Sequence, residues 1–273
     1  PGSEVMHIEV VDDCSTKDDP EAVVREMGQG RVDFFRQPSN VGAITNFNTC
    51  VDRSQGQLVH ILHGDDLVQP NFYQTLGPPL LDDEMLGAGF CRQMYVDNAG
   101  LEIGYSRLEQ SSPGILTNAL AQLAVTNRIQ PPAIIIKRKV YEQLGGYNTD
   151  LFHSADWEMW VRIAAHYPIW YEPQPLALYR IHGGSDTSRL FQTGANIQDR
   201  RHCIESCRPY WPVEQSKQLF RKSYGYSAVY ALRTAYKFLK LKNWAATGAQ
   251  LREATFCLGI VLSSLFGYNS YSS

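Results

Sequence analysis

The chain has 273 residues, of which 44% are apolar, and it carries a formal net charge of −3. This length allows one large α/β domain or two small ones with a sizeable buried core. The nearly balanced charge excludes the bulk basicity typical of nucleic-acid-binding proteins, so we expect no nucleic-acid partner. The sequence contains no run of 18 apolar residues, so we predict no membrane-spanning helix.

The six cysteines are scattered along the chain, and none of them forms a CxxC pair. Because structural zinc sites need closely spaced cysteine pairs, we expect no zinc site. Cys203 and Cys207 lie four residues apart, a spacing that suits neighbours on one helix. The pattern predicts buried, reduced thiols and therefore a cytoplasmic protein.

Strands alternate with helices over the first part of the chain. Apolar, β-branched residues at 5–11 predict a buried strand that ends at the pair Asp12-Asp13. Strands at 31–36 and 57–62 follow, each preceded by a predicted helix. Such alternation predicts an α/β fold with a mainly parallel, mixed sheet, which binds ligands beyond the carboxyl ends of its strands.

The strand patterns continue to about residue 190, and the chain is then predicted to be helical. On a helix predicted at 156–166, Trp157, Trp160 and Ile163 form the apolar side. The other later elements are strands within 86–106, at 133–137 and at 170–181, and helices at 114–126 and 140–144. We therefore predict an α/β domain at 1–192 that carries all the motifs, and a C-terminal helical extension at 193–273.

The acidic pair Asp65-Asp66 directly follows the strand predicted at 57–62. Adjacent carboxylates repel each other unless a positive charge lies beside them, and a divalent cation is the common solution. Mg²⁺ or Mn²⁺ bound there can bridge the phosphates of a substrate. The alternative is a solvated acidic turn before the next helix.

A second acidic pair ends the first predicted strand, within the run DDCS at 12–15. Asp12 or Asp13 can accept a hydrogen bond from the N–H of a nucleobase, and Ser15 can bind phosphate. The alternative is a turn whose polar side chains bond the neighbouring backbone.

Two later segments carry groups suited to sugar and phosphate chemistry. Asp156 opens a helix beside Trp157 and Trp160, so it is either the cap of that helix or a base that deprotonates a sugar hydroxyl. His182 ends a strand that also holds Arg180. Arginine supplies positive charge to a phosphate and histidine can ligate a metal, whereas a lone histidine is otherwise a packed or surface residue.

The order of these motifs along the chain carries more information than any one of them. The chain contains, in sequence, the segments VVDDCS, SNVG, HGDD, KRKVYEQLGGYN, ADWEMWVRIA and LYRIHGGS. In this order they closely resemble the family-2 glycosyltransferases, which are inverting enzymes of the nucleotide-diphospho-sugar transferase (GT-A) fold. The resemblance covers residues 5–190. It implies transfer of a sugar from a nucleotide-sugar donor, by default a UDP-sugar, to an acceptor hydroxyl, with Mn²⁺ or Mg²⁺ as cofactor.

The resemblance also implies a role for each matching position. Asp156 resembles the family's general base, and Gly145-Gly146-Tyr147 resembles its acceptor-side turn. The implied metal ligands are Asp66 and His182. The implied donor-binding residues are Asp12, Asp13, Ser15, Asn40, Gly42, Asp65 and Arg180. A glycan or lipid-linked acceptor in polysaccharide biosynthesis is the implied partner.

The chain departs from the family pattern at several positions. Gly64 replaces the first aspartate of the acidic signature, Phe47 replaces an arginine, and Ala155 replaces a glutamate before the base. The family's first strand is absent, so we expect the natural polypeptide to begin upstream of Pro1 by about 30–40 residues, since a sheet without a central strand exposes two edges. These departures leave open a catalytically inactive sugar-nucleotide-binding relative. A receiver-type signalling domain, which also holds Mg²⁺ on an acidic pair, fits less well because Arg138 rather than proline follows Lys137.

The helical tail is strongly basic. Between Lys217 and Glu253 there are eight basic residues and one acidic residue. On a helix four of the basic residues fall within about 60° of one another, and apolar residues gather on another side. The basic group is Lys222, Arg233, Lys237 and Lys240, and the apolar group is Ala228, Leu232, Ala235, Tyr236 and Leu239. Either this helix packs on the α/β domain, or it makes a peripheral contact with the inner face of the membrane near a lipid-linked acceptor.

Overall fold

The computed structural model describes residues 6–181 and 186–266, and it describes no side chains for 186–188. His182 therefore lies outside the described residues. The strands are β1 (Glu9–Asp12), β2 (Asp33–Arg36), β3 (Leu58–Val59), β4 (Leu67–Val68), β5 (Ala88–Val96), β6 (Glu102–Tyr105), β7 (Gly114–Ile115), β8 (Ile134–Lys137) and β9 (Ile169–Arg180). The helices are α1 (Pro20–Gly28), α2 (Ala43–Arg53), α3 (Phe72–Asp82), α4 (Ala119–Leu123), α5 (Arg138–Leu144), α6 (Ala155–His166), α7 (Asp186–Thr193), α8 (Ala195–Cys207), α9 (Val213–Lys240) and α10 (Trp244–Leu265).

The strands form two sheets. Strands β1 and β2 pair in parallel, and the larger sheet has the order β3-β8-β5-β9-β4, with β6 on β5 and β7 on β9. The longest ladder joins β5 and β9 in parallel, whereas the other ladders of the larger sheet are antiparallel. The predicted α/β class with a mixed sheet flanked by helices is thus confirmed, but most ladders between the described strands of the larger sheet are antiparallel, whereas a mainly parallel sheet was expected.

Helix α6 lies at the centre of the core, as its apolar spacing predicts. Trp157, Trp160 and Ile163 are all buried. Each indole also satisfies its N–H, because Nε1 of Trp157 donates to the Leu123 carbonyl at 2.6 Å and Nε1 of Trp160 donates to the Ile129 carbonyl at 3.1 Å. Each buried tryptophan whose N–H is hydrogen-bonded contributes on the order of 2–3 kcal/mol to the free energy of unfolding. Together the two side chains fix the start of this helix.

The region predicted as one helix at 114–126 is different in the structure. It begins with strand β7 and continues into the short helix α4. The physical reason lies in two backbone angles, because φ is +152° at Gly114 and +55° at Asn118. A right-handed helix cannot pass through either conformation, so the helix starts only after Asn118. The two-residue strand β4 was not predicted, since two residues show no periodicity.

The helical tail packs onto the α/β part rather than standing apart from it. Helices α9 and α10 form a hairpin, in which Nε of Arg221 donates to Oγ of Ser264 at 3.1 Å. Ile197, Ile204 and Ala228 belong to the same hydrophobic core as the strands. The core is continuous across residue 192, and the division into two domains there stays a prediction. Within the described ranges, no helix has both the length and the apolarity needed to cross a membrane.

Candidate active site

The acidic loop after β3 is held by the end of β9. The backbone N–H of Arg180 donates to Oδ1 of the buried Asp66 at 2.9 Å, and its Nε donates to the Asp65 carbonyl at 2.9 Å. Nη1 of the same arginine donates to the Asp97 carbonyl at 2.8 Å. Arg180 thus links the acidic loop to the β5–β6 turn. These bonds position the carboxylates, and direct contact with a donor phosphate stays a prediction.

The acidic loop contains a potential metal centre that includes an unpredicted histidine. One ligand atom from each of His63, Asp65 and Asp66 lies within 4.8 Å of the others. Burial lowers the pKa of His63, which keeps the imidazole neutral and able to ligate. Its Nε2 is buried without a hydrogen-bond partner among the described residues. An imidazole with two carboxylates is a donor set that fits Mn²⁺. The only sequence signal for His63 was its place in the run HGDD.

Helix α2 contributes an aromatic wall to this centre. The ring of Phe47 stacks on His63 with centroids 4.9 Å apart and an interplanar angle of 16°. Phe47 also meets the Tyr147 ring edge-on at 5.8 Å. Phe47 stands where the family pattern has arginine, so α2 here orients the histidine ring and offers no cation at this position.

The start of α2 joins the second acidic pair to the site. Oδ1 of Asp13 accepts the Val41 N–H at 2.7 Å, and Oδ2 accepts the Gly42 N–H at 3.0 Å. The Asn40 side chain returns a hydrogen bond to the Asp13 carbonyl at 3.0 Å. Gly42 has φ +86°, a conformation that favours glycine. Asp13, Asn40 and Gly42 therefore form one preorganised turn, and their role in donor binding stays a prediction.

Asp12 is buried, and its carboxylate is bound by neighbouring side chains. Its carboxylate accepts hydrogen bonds from the backbone and hydroxyl of Ser15 and from Nε of Arg36 at 2.7 Å. Burial by itself raises the pKa of Asp12, but the bonds from Ser15 and Arg36 outweigh it and hold the pKa below its usual value. The Asp12 carboxylate and the Ser15 hydroxyl are engaged with each other, and the predicted roles of Asp12 in nucleobase recognition and of Ser15 in phosphate binding stay predictions.

The predicted base lies in the first turn of α6. Oδ2 of Asp156 accepts a hydrogen bond from Nδ2 of Asn127 at 2.9 Å, and Oδ1 accepts the Trp157 N–H at 2.6 Å. Protein surrounds the carboxylate on most sides, although part of the residue stays accessible. Desolvation raises the pKa of Asp156 to about 6. A partly accessible carboxyl with this pKa is suited to accept a proton near neutral pH.

Helix α6 and helix α2 together hold the Gly-Gly-Tyr turn. Nδ2 of Asn48 donates to the Tyr147 carbonyl at 3.0 Å, and its Oδ1 accepts the Tyr147 N–H at 2.7 Å. From α6, Nη2 of Arg162 donates to the Gly146 carbonyl at 2.7 Å and pairs with Glu158 at 2.8 Å. A side chain on Gly146 would place its Cβ 2.3 Å from Oδ1 of Asn48, so any other residue there would push the Asn48 side chain away from the Tyr147 N–H. The predicted acceptor-side turn is therefore rigid.

Tyr179 of β9 connects the acidic loop with the base. Burial raises the pKa of Tyr179 most, and the negative charges of Asp66, Asp156 and Asp65 raise it further. One phenol therefore lies within electrostatic reach of all three carboxylates, which brings the predicted metal ligand and the predicted base to the same site. Sequence analysis missed Tyr179, because a tyrosine in a strand has no motif of its own.

Asp199 of the helical tail holds the backbone segment just before the predicted base. Asp199 of α8 is fully buried, and its carboxylate accepts the backbone N–H groups of Phe152, His153 and Ser154, the last at 2.6 Å. Ser154 is the residue before α6, so Asp199 holds the backbone segment that leads into the helix that carries Asp156. The helical tail thus helps to position the predicted base, a role that no sequence pattern around Asp199 predicts.

Comparison with solved structures defines the class of protein that has this fold. Staphylococcus aureus TarS (residues 1–349) in complex with UDP-GlcNAc superposes with a TM-score of 0.56 at 12% identity, over 99% of this chain and 85% of that chain. The mannosyltransferase PcManGT from Pyrobaculum calidifontis, in complex with GDP-Man and Mn²⁺, gives a TM-score of 0.53 at 16% identity, over 96% and 79%. The fold is therefore that of GT-A-like glycosyltransferases.

The family follows from the sequence comparison. The model of glycosyl transferase family 2 matches residues 3–145, and the chain belongs to this family. A curated relative, the uncharacterized protein MT1568 of Mycobacterium tuberculosis (strain CDC 1551 / Oshkosh), is 26% identical over an alignment of 210 residues that covers 73% of this chain. The chain spans 65% of the length of that relative.

Proposed function

We propose that this glycosyltransferase moves a sugar from a nucleotide-sugar donor to an acceptor hydroxyl in a single inverting displacement. The observation that carries the proposal is that the negative charges of Asp66 and Asp156 both raise the pKa of Tyr179, so that the acidic loop and the predicted base lie near one residue. An inverting displacement needs a base on one side of the anomeric carbon and a site for the departing diphosphate on the other. Asp156 and the acidic loop supply these two groups.

In this reaction Asp156 takes the proton of the acceptor hydroxyl. The hydroxyl oxygen forms a bond to the anomeric carbon as the bond from that carbon to the diphosphate oxygen breaks, and the electron pair leaves with the nucleoside diphosphate. Attack from the face opposite the leaving group inverts the anomeric configuration. The pKa of about 6 leaves the Asp156 carboxylate ionised at neutral pH but more basic than an exposed aspartate.

The cation would be held by His63, Asp65 and Asp66, together with the predicted ligand His182. A bound divalent metal neutralises the charge that develops on a departing diphosphate. The imidazole in the set favours Mn²⁺ over Mg²⁺, which prefers oxygen ligands. This donor set also offers a replacement for the acidic-signature aspartate that is missing at Gly64.

Donor recognition is proposed to use the turn formed by Asp13, Asn40 and Gly42 together with Asp12, Ser15, Asp65 and Arg180. A UDP-sugar is the default donor, and a GDP-sugar is the alternative suggested by one structural neighbour. The acceptor would be a glycan or a lipid-linked glycan of polysaccharide biosynthesis.

The test is a thermal-shift screen of UDP and GDP with and without Mn²⁺, followed by a transfer assay. Specific stabilisation by one nucleotide that requires the metal would identify the donor class. Donor hydrolysis measured in the same samples distinguishes an enzyme from an inactive sugar-nucleotide-binding relative. A protein that binds none of these nucleotides would contradict the proposal.

We also propose a peripheral contact of α9 with the cytoplasmic face of the membrane. Lys222, Arg233, Lys237 and Lys240 are all exposed on one side of this helix. Each basic residue near an anionic surface adds about 1 kcal/mol, which suffices for weak and salt-sensitive attachment. Liposome co-sedimentation at low and high salt is the measurement, and protein that stays in the supernatant with anionic liposomes at low salt would refute the contact.

A further inference from the structure

The end of α4 and the loop that follows it are fastened to α6 on both sides of Asn127. Before it, the Leu123 carbonyl accepts the indole N–H of Trp157 at 2.6 Å, and after it the Ile129 carbonyl accepts that of Trp160 at 3.1 Å. All four of these side chains are buried. Because buried hydrogen bonds hold the backbone on either side, the core fixes the position of Asn127 relative to α6.

The Asn127 side chain can face Asp156 in only one orientation. Its Oδ1 accepts the backbone N–H of Ile129 at 3.1 Å, and its Nδ2 donates to Oδ2 of Asp156 at 2.9 Å. Turning the amide over would point its oxygen at the carboxylate and its NH₂ group at a backbone N–H, so both hydrogen bonds would become repulsive contacts. Asn127 is therefore a fixed hydrogen-bond donor to the predicted base.

Within the residues that the structure describes, Asn127 is the only side chain that donates to the Asp156 carboxylate. The other oxygen, Oδ1, accepts the Trp157 N–H from the backbone of α6 itself at 2.6 Å. No lysine or arginine of the described ranges forms an ion pair with this carboxylate. One donor on each oxygen fixes the plane of the carboxylate. Each oxygen keeps a second lone pair for an acceptor hydroxyl.

The surroundings of Asp156 otherwise disfavour its negative charge. Burial raises its pKa most, and the charge of Asp199 raises it further, whereas the Trp157 backbone and the Asn127 amide lower it. The other titratable or charged groups on the elements packed around it are Tyr147, Tyr179 of β9, Cys203 of α8, and Arg200 of α8, whose guanidinium lies 4.5 Å from the Trp157 ring centroid. Asn127 is thus the side chain that favours the ionised carboxylate.

We propose that Asn127 is a positioning residue of the glycosyl transfer, which holds the Asp156 carboxylate in the orientation in which it receives the proton of the acceptor hydroxyl. The inference rests on the proposed function of Asp156 and adds the residue through which this base is oriented. Asn127 takes no proton itself and acts through its bond to Asp156. A neutral amide suits this task, because it donates a hydrogen bond without competing for the proton.

The test uses Asn127→Asp, which keeps the shape of the side chain. The new carboxylate can still accept the Ile129 N–H, but an oxygen replaces the donor that faces Asp156. Two carboxylates at hydrogen-bond distance repel each other when both are ionised, so the pair keeps a proton to higher pH than Asp156 alone. We expect the acidic limb of the pH profile of kcat to move up by about one pH unit or more. Turnover at pH 7 should fall about tenfold or more, while KM for the donor stays within about twofold.

The swapped variant Asn127→Asp/Asp156→Asn separates the hydrogen bond from activity. It again places a donor opposite an acceptor, because the amide at position 156 can donate to the carboxylate at position 127. In urea unfolding at pH 8 we expect Asn127→Asp to have a lower midpoint than the wild type, and the same change to cost much less in the Asp156→Asn background. Near pH 4, where the two carboxyl groups of Asn127→Asp share a proton, its loss should be smaller.

Asn243→Asp is the matched control. Asn243 precedes α10 in the helical tail, and its Oδ1 accepts the Ala246 N–H at 3.1 Å, a bond that aspartate can keep. This variant makes the same chemical change far along the chain from Asp156. It should leave the pH profile unchanged and should not lower the midpoint at pH 8.

Two outcomes would overturn the positioning role by themselves. An unchanged pH profile in Asn127→Asp would mean that the amide does not orient the base. An equal loss of stability in the wild-type and Asp156→Asn backgrounds would mean that Asn127 serves only the fold. A wild type without transfer activity would overturn the proposed function and the positioning role with it, while the urea midpoints would still decide whether Asn127 and Asp156 interact.

Discussion

Replacing Asp156 by asparagine should remove activity and stabilise the protein at the same time. Desolvation raises the pKa of this carboxyl from 3.8 to about 6. A difference of about two pKa units corresponds to about 3 kcal/mol, and the accessible part of the side chain reduces this to on the order of 2 kcal/mol. Asn127 donates a hydrogen bond to the Asp156 carboxylate. Tyr147, Tyr179 and Asp199 interact with it electrostatically.

The sign of the effect follows from proton binding. Between pH 4 and 6 the folded state keeps a proton on Asp156 that the unfolded chain has already released, so stability falls as pH rises through this range. Above about pH 6 the folded protein carries the full cost of the buried charge. Asparagine is neutral at every pH, and the variant should therefore be more stable than the wild type at pH 8 and equally stable near pH 4.

The assay is urea unfolding of both proteins from pH 4 to pH 8, with turnover measured in parallel. Turnover of Asp156→Asn should fall by about 10²-fold or more, while nucleotide binding is kept. Asp19→Asn, which changes an exposed carboxylate at the start of α1, is the control and should gain no stability at pH 8. If Asp156→Asn is less stable than the wild type at pH 8 and retains near-normal turnover, Asp156 is only a helix cap and the reasoning fails.

Three further predictions concern the acidic loop and the acceptor-side turn. Asp66→Ala should abolish the thermal shift that UDP gives with Mn²⁺ and leave the melting temperature without ligand within a few degrees; full activity in EDTA would contradict this. His63→Ala should weaken Mn²⁺ binding more than Mg²⁺ binding, as measured by metal titration without nucleotide, and an equal loss for both metals would exclude His63 as a ligand. Gly146→Ala should destabilise the fold by about 1–3 kcal/mol through its clash with Asn48, and unchanged urea unfolding would show that the turn can move.

The sequence predicted the fold class and the family because both are encoded in local patterns. Apolar runs that end in carboxylates mark the carboxyl ends of strands, as at Asp12, where β1 ends; the strand predicted at 57–62 before Asp66 is shorter in the structure, because β3 ends at Val59. The order of the short motifs was enough to predict the family, and the match to the family model over residues 3–145 confirms it. Local patterns failed where single backbone angles decide, as at Asn118, whose positive φ delays the start of the helix that was predicted from residue 114.

By itself the sequence determined which residues carry carboxylates at strand ends, which helix has the tryptophans, and where the basic face of the tail lies. Only the tertiary structure decided what these groups touch. Arg180 bonds the loop of Asp66 across 114 residues of chain, and Asp199 binds the backbone just before α6 across 45. Such partners share no spacing or periodicity, because contacts between distant segments depend on how whole elements pack. Tyr179 became part of the site for the same reason.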